Sequence, residues 1–301
     1  MKKLIVVLSV IVMFSFAACG GGGGDKSTSP ASVSPSVDVS SKEKHESAPA
    51  SSDVSVEEQV LMDQDGIKIT LMSLESGEDL FSMGPELKVL IENDGDQPVS
   101  VQTRDVSVNG IMMDPWFSCD VEPGKKANDG VTLLSSDLKM AGIEKIKDVE
   151  LRFHVFDPSS YDTLFDTDPI SIVTSAADYI QVYDDSGTVA LDQDGFKIIV
   201  KKLESQDSFW GADIYVYVEN NSGTDATIQV RDTSVNGFMV DPSFSCDILS
   251  GKKAFSSITF FESDLEANDI TDITDIELKF HVFSLDGWDN IFDSESINIT
   301  F

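Results

Sequence analysis

Basic residues are scarce in this chain of 301 residues. Its 21 Lys and Arg stand against 53 Asp and Glu, which gives a formal net charge of −32 at pH 7. Such a charge repels nucleic-acid phosphates and anionic lipid headgroups, so nucleic acid is a poor partner and electrostatic membrane binding is disfavoured. Cations, basic proteins and neutral ligands remain open as partners.

Histidine and cysteine are also rare, with three of each. His154 and His281 occupy equal places in the segments LRFHVF and LKFHVF, and neither has a second His or a Cys pattern nearby that would suit metal or acid–base chemistry. We expect each to be hydrogen-bonded at the surface of a sheet. No Ser-His-Asp arrangement, Walker loop or Rossmann fingerprint is evident. The sequence therefore predicts a protein that is not an enzyme and has no cofactor.

One 23-residue segment occurs twice. RDVSVNGIMMDPWFSCDVEPGKK runs from Arg104 to Lys126, RDTSVNGFMVDPSFSCDILSGKK runs from Arg231 to Lys253, and 16 positions are identical. Solenoid units usually have about 20–50 residues, and the starts of the two copies, Arg104 and Arg231, lie much farther apart than one such unit. The duplication therefore indicates two whole domains in tandem. We predict a signal peptide over 1–18, a tether over 19–55, repeat 1 over 56–174, a linker over 175–187 and repeat 2 over 188–301.

The N-terminus has the pattern of a secretory leader. Two lysines precede an apolar run from Leu4 to Phe16, which is too short for a comfortable membrane span. The ending Phe16-Ala17-Ala18-Cys19 resembles the lipobox of bacterial lipoproteins. This resemblance implies that Cys19 becomes the first mature residue and carries a lipid at the outer face of the cytoplasmic membrane. An uncleaved anchor and a simple secreted protein are the alternatives.

A glycine run over 20–24 and a Ser-, Pro-, Lys- and Glu-rich stretch follow the cysteine. With few apolar residues, this segment cannot offset the entropy of ordering, and we expect a flexible, disordered tether.

Each repeat contains short alternating strands separated by turn signals, which predicts an all-β fold of two immunoglobulin-like antiparallel β-sandwiches. Asn109-Gly110 and Asn236-Gly237 predict type I′ hairpins. The apolar parity changes near Arg104-Asp105 and Arg231-Asp232, which indicates a bulge or a change of sheet, with Arg and Asp paired to each other. A single helical turn with a Ser or Asp cap is expected over 136–143 and 263–270.

Cys119 and Cys246 share the apolar parity of their strands, so we expect both to be small buried side chains. A disulfide between them is not expected, because equivalent core positions of two domains would have to approach within about 7 Å at their Cα atoms.

The Asp-Gln-Asp-Gly turns place Asp63 and Asp65 in repeat 1, and Asp192 and Asp194 in repeat 2. Alternating carboxylates also begin a calcium loop, but the remaining ligands and the closing Glu are missing. We favour an ordinary turn between a leading segment and the first strand. Calcium binding is the alternative, with the acidic residues around 162–168 and 286–293 as further ligands.

The three tryptophans are not duplicated. Trp116 corresponds to Ser243, Trp288 corresponds to Tyr161, and Trp210 lies where the repeats differ in length. Such residues either fill the ends of the sandwiches, which is the commoner role, or bind a partner by stacking on sugar rings or anchoring a protein.

The chain resembles Gram-positive lipoproteins that carry tandem immunoglobulin-like domains of unknown function, which are similar to the mycobacterial immunoprotective antigen sandwich. The lipobox, the tether and the late F-H-V-F strand carry this resemblance, together with Glu92-Asn93-Asp94, Glu219-Asn220-Asn221, Gly124-Lys125-Lys126 and Gly251-Lys252-Lys253. It implies an exported sandwich protein without catalytic residues.

Three functions remain open from the sequence. The first is a non-catalytic, lipid-anchored module at the cell surface that binds an unknown protein or cell-wall component. The second is a surface lipoprotein that binds or senses calcium or another cation. The third is an envelope spacer with no ligand.

Overall fold

The computed structural model describes residues 54–77, 82–208 and 211–301. The predicted signal peptide, Cys19, nearly all of the tether and Trp210 lie outside these ranges. In the described part of the chain, no helix is both long enough and apolar enough to cross a membrane.

Short strands dominate both repeats because apolar side chains alternate along them. In the third strand, for example, Leu87, Val89 and Ile91 are at most 1% exposed, and the side chains between them are half-buried. The elements of repeat 1 are β1 (Gln59–Gln64), β2 (Ile67–Glu75), β3 (Glu86–Asn93), β4 (Val99–Val108), β5 (Ile111–Met112), β6 (Ser118–Val121), β7 (Lys125–Thr132), α1 (Ser135–Met140), β8 (Asp148–Phe156), β9 (Thr163–Asp166) and β10 (Ile170–Val173).

Repeat 2 contains the same elements in the same order. They are β11 (Thr188–Gln193), β12 (Phe196–Ser208), β13 (Gly211–Asn220), β14 (Ala226–Val235), β15 (Phe238–Met239), β16 (Ser245–Ile248), β17 (Lys253–Phe261), α2 (Glu262–Ala267), β18 (Asp275–Ser284), β19 (Asn290–Asp293) and β20 (Ile297–Thr300). The leading segment of each repeat is itself a strand, β1 or β11, which the sequence analysis missed.

Each repeat is a sandwich of two antiparallel sheets. In repeat 1, the sheet β1-β2-β3-β7 packs against a sheet built on β4 and β8, and their inward side chains form one core. In repeat 2, β11-β12-β13-β17 packs in the same way against a sheet built on β14 and β18. The predicted all-β immunoglobulin-like sandwich is confirmed.

The predicted hairpins and bulges are confirmed. Asn109 and Gly110 have φ of 52° and 79° and join β4 to β5, while Asn236 and Gly237 join β14 to β15 in the same conformation. The register of β4 against β8 shifts between Arg104 and Ser107, and β14 shifts equivalently against β18. The strand bulges there and stays in its sheet.

Two finer expectations were wrong. Asp105 pairs with Arg152 at 3.3 Å and Asp232 pairs with Lys279 at 2.9 Å, so each Asp takes a cation from the neighbouring strand rather than its own Arg. The helices begin after the N-cap residues Leu134 and Phe261, which make no side-chain capping bond. In both repeats the N-cap residue is extended, and tertiary packing replaces the capping bond.

The asparagine of each Glu-Asn motif closes the end of a strand. Asn93 is fully buried, and its Nδ2 donates to the carbonyl oxygens of Gln97 and Val121, both at 2.9 Å. Its Oδ1 accepts the amide of Gly95 at 3.0 Å. Asn220 makes the equivalent set in repeat 2. The motif is therefore a structural clamp on the following turn.

A short parallel contact joins the two sandwiches. Ile111 and Met112 of β5 pair with Lys253 and Ala254 of β17. This contact creates a ten-stranded sheet in the order β10-β8-β4-β5-β17-β13-β12-β11, with β6 paired to β4 and β9 paired to β8 beside that path. The described residues accordingly belong to one compact unit.

Side chains reinforce this junction. Lys252 bonds to Glu150 at 2.9 Å, the hydroxyl of Tyr183 donates to the carbonyl oxygen of Asn109 at 2.8 Å, and the ammonium of Lys253 lies 4.5 Å from the centre of the Tyr183 ring. In repeat 1 the equivalent of Lys253, Lys126, pairs with Glu92. The same Gly-Lys-Lys motif thus serves a strand pair in one repeat and the junction in the other.

Cys119 and Cys246 are free and buried, as predicted. Burial raises the pKa of each thiol to about 12, and Asp129 adds to this effect at Cys119.

Candidate functional site

Three rings are stacked beside the turn between β8 and β9 of repeat 1. His154 lies 5.2 Å from Phe156, and Phe156 lies 6.2 Å from Tyr161 with the two ring planes 19° apart. Nδ1 of His154 is 2.7 Å from Oδ1 of Asp166, because the strand register places the two residues opposite each other. The histidine is 7% exposed, whereas Tyr161 at the end of the stack is 75% exposed.

Repeat 2 builds the same stack with a different terminal ring. His281 lies 5.1 Å from Phe283, and Phe283 lies 5.5 Å from Trp288 with planes 16° apart. Nδ1 of His281 is 2.7 Å from Oδ1 of Asp293, and Trp288 is 77% exposed. One face of each terminal ring lies against a phenylalanine. Because the terminal residue is about three-quarters exposed, its other face is open to solvent. The set of histidine, phenylalanine and terminal aromatic residue, called the ring stack below, occurs once in each repeat.

Local hydrogen bonds hold the terminal rings in place. In repeat 1, Oδ1 of Asp157 accepts the amides of Ser159 and Ser160, and the amide of Tyr161 donates to the Asp157 carbonyl at 2.8 Å. In repeat 2, the hydroxyl of Ser284 takes the place of the Asp157 carboxylate, and the amide of Trp288 donates to its carbonyl at 3.1 Å. Different side chains therefore produce the same turn.

Both terminal aromatic residues have left-handed backbones. The φ of Tyr161 is 62° and that of Trp288 is 58°. Bulky residues rarely adopt this conformation, and sparsely populated backbone conformations cost of order 1–3 kcal/mol. An exposed aromatic residue held in such a conformation at two equivalent places is a feature that the fold alone does not require.

The histidines are hydrogen-bonded, as expected, but the stack also buries them. The hydrogen bond from His281 holds the pKa of Asp293 below its usual range. Sequence reasoning found both histidines and both acidic loops but did not connect them, because the pairing of β8 with β9 and of β18 with β19 brings together side chains twelve positions apart.

The remaining tryptophan that is described lies elsewhere. Trp116 is 64% exposed and is held by two backbone hydrogen bonds to Thr132, beside a hollow of about 310 Å³ that Lys88 and Asp129 help to line. Neither Trp116 nor Trp288 fills the end of a sandwich, so the commoner role considered for them was wrong.

The Asp-Gln-Asp-Gly segments form tight turns between β1 and β2 and between β11 and β12. Asp65 and Asp194 have φ of 51° and 50°. The carbonyl oxygen of the glycine in each turn accepts an amide from the turn after the Glu-Asn motif, as when the amide of Asp94 donates to Gly66 at 2.8 Å. Asp63 and Asp192 lie at the ends of the preceding strands. In residues 54–77, 82–208 and 211–301, no group of three or more His, Cys, Asp or Glu side chains is placed to hold a metal ion.

A groove at the junction of the repeats was not foreseen. Two hollows, of about 590 and 740 Å³, share Asp137, Met140 and Phe255 in their walls. Burial raises the pKa of Asp137 above its usual range. The groove joins α1 of repeat 1 to β17 of repeat 2, and no sequence motif marks contacts between such distant segments.

The similarity of this chain to known proteins is remote. No protein-family model matches the chain, and no curated protein matches it. Among solved structures, the chain is similar to the YadV chaperone, with 11% identity and a TM-score of 0.23 over 72% of this chain and 92% of that chain. It is also similar to a chain of the Salmonella enterica SafA pilin in complex with the SafB chaperone, with 11% identity and a TM-score of 0.20 over 72% and 89% of the two chains. At this degree of similarity, neither structure bears on function.

Proposed function

We propose that this protein is a non-catalytic binding module, exported and lipid-anchored through Cys19, whose two sandwiches bind a protein or a cell-wall component at the surface. One observation carries the binding role: the same ring stack, with an exposed aromatic residue at its end, is present in both repeats. The lipid on Cys19 and the tether would hold the sandwiches at the outer face of the cytoplasmic membrane.

The ring stack suits recognition more than chemistry. Large aromatic side chains are frequent anchors in binding interfaces, since they bury much surface at little conformational cost. Stacking on Phe156 or Phe283 orients the terminal ring before a partner arrives, so less entropy is lost on binding. The left-handed backbone of Tyr161 and Trp288 is a further sign that binding, rather than stability, retains the ring.

Two sites on one compact unit also favour avidity. The parallel pairing of β5 with β17 and the Lys252–Glu150 ion pair link the repeats directly. When both sites engage one surface, the second binding event is intramolecular and overall affinity rises by about 10² to 10⁴.

Sedimentation of the purified full chain with isolated cell envelopes tests the proposal, with Cys19→Ala in every variant so that no lipid anchor retains the protein. We expect Tyr161→Leu and Trp288→Leu each to lower retention sharply and the double variant to abolish it. Leucine keeps the charge and the left-handed backbone strain while removing the ring. Phe238→Leu is the matched control, because Phe238 is a 49% exposed aromatic residue outside both stacks. Equal retention of the double variant and the wild type would refute the role of the stacks.

A further inference from the structure

We propose that the ring stacks bind cationic side chains, the guanidinium or ammonium groups of a basic protein segment. This inference rests on the proposed function, since it names the partner chemistry of the same two sites. The open face of an aromatic ring attracts a cation electrostatically, and tryptophan and tyrosine do so more strongly than phenylalanine.

The charge around both rings fits a cation. In repeat 1, four carboxylates and no Lys or Arg lie in the segment from Asp157 to Asp168 that carries Tyr161. In repeat 2, the segment 284–295 around Trp288 likewise has four carboxylates and no Lys or Arg. Arg231 of β14 and Lys279 of β18 interact electrostatically with Asp293, and Lys279 is already paired with Asp232. Each exposed ring is therefore set in an acidic loop.

The same chemistry already operates inside the molecule. The ammonium of Lys202 lies 4.7 Å from the centre of the Tyr215 ring, and that of Lys253 lies 4.5 Å from the centre of the Tyr183 ring. In both places a lysine is positioned over a tyrosine face with acidic residues nearby. Tyr161 and Trp288 offer an equivalent face to a cation from another molecule.

Charge also ranks the alternatives. An anionic polymer is repelled by a chain of net charge −32. A neutral sugar ring stacks on aromatic faces as well, but it gains only hydrogen bonds from the four carboxylates of each loop segment. A basic segment uses the ring and the carboxylates together, which is why we favour it.

Calorimetric titration of the full chain with hexa-arginine amide, at about 0.15 M ionic strength to screen long-range attraction, tests the inference. We expect Tyr161→Leu and Trp288→Leu each to weaken the site it alters by about fivefold. Phe238→Leu, of identical net charge, should bind like the wild type. Trp288→Tyr, which installs the terminal residue of the other repeat, should retain binding. Circular dichroism verifies that every variant is folded.

The outcomes separate the inference from the proposed function. If hexa-arginine binds the double variant and the wild type equally, net charge alone attracts it and the inference is wrong. If the wild type instead binds a neutral hexamer of N-acetylglucosamine and the ring variants do not, the cation inference is overturned while the binding role stands. If neither probe depends on the rings and envelope retention is also unchanged, both proposals fail.

Discussion

Replacing Asn93 with alanine removes three hydrogen bonds from a fully buried side chain. The lost bonds join Asn93 to Gln97, Val121 and Gly95 at 2.9, 2.9 and 3.0 Å. Each buried hydrogen bond contributes about 1 kcal/mol net, so we expect the free energy of unfolding to fall by about 3 kcal/mol. If residues 46–301 unfold as one unit, the midpoint of thermal unfolding falls by about 6–12 °C.

A second substitution distinguishes hydrogen bonding from packing. Asn93→Asp keeps the volume of the side chain but places a carboxylate oxygen against two carbonyl oxygens that need a donor. We expect it to destabilise the protein at neutral pH at least as much as Asn93→Ala, because it also buries a charge. If packing alone mattered, this variant would retain wild-type stability.

Urea unfolding followed by far-UV circular dichroism measures both variants. Asn220→Ala is the internal replicate, since it removes the equivalent bonds in repeat 2. Asp94→Ala is the matched control: its side chain is exposed, and we expect a change within about 0.5 kcal/mol. Wild-type stability in both Asn93→Ala and Asn93→Asp would refute the assignment of this motif as a structural clamp.

Three further predictions concern titration and ligands. Cys119 and Cys246 have a pKa of about 12 rather than 9.0. In a folded C19A chain at neutral pH, they should react with a thiol reagent about a thousandfold more slowly than in the same chain after denaturation. Equal rates would contradict their burial. The hydrogen bond from His281 lowers the folded pKa of Asp293 below 3.8, so the stability that this carboxylate adds is complete above that value and is lost as the pH falls through the folded pKa. The loss of unfolding free energy in Asp293→Asn, measured in urea, should therefore shrink between about pH 6 and about pH 3. A constant loss would count against the pairing. Thermal unfolding in excess calcium and in chelator should coincide, whereas a rise of several degrees with calcium would revive the cation-binding hypothesis for the Asp-Gln-Asp-Gly turns.

Local chemistry explains the features that were predictable. A type I′ turn requires positive φ at two successive residues, and Asn109-Gly110 meets this requirement without help from the rest of the chain. The bulge at Asp105 and the burial of Cys119 follow from the parity of apolar residues, because side chains alternate strictly between the faces of a strand.

The ring stacks illustrate what local reasoning misses. Trp288 was a candidate from its position in a loop, and Tyr161 was known as its counterpart. His281 was interpreted separately as a histidine hydrogen-bonded at the surface of a sheet, with no partner named. Only the antiparallel pairing of β18 with β19 places Asp293 opposite that histidine, and only the turn after Phe283 returns Trp288 onto its ring.

The sequence by itself determined the duplication, the two sandwiches and the acidic character, because these depend on identity at a fixed shift, on alternation along strands and on composition. Tertiary structure decided the helix starts, the ion-pair partners of Asp105 and Asp232, the exposure of Trp116 and the sheet that crosses from β5 to β17. Each of these depends on which distant segment becomes a neighbour. That choice follows from the packing of the whole chain, so residues adjacent in sequence carry little information about it.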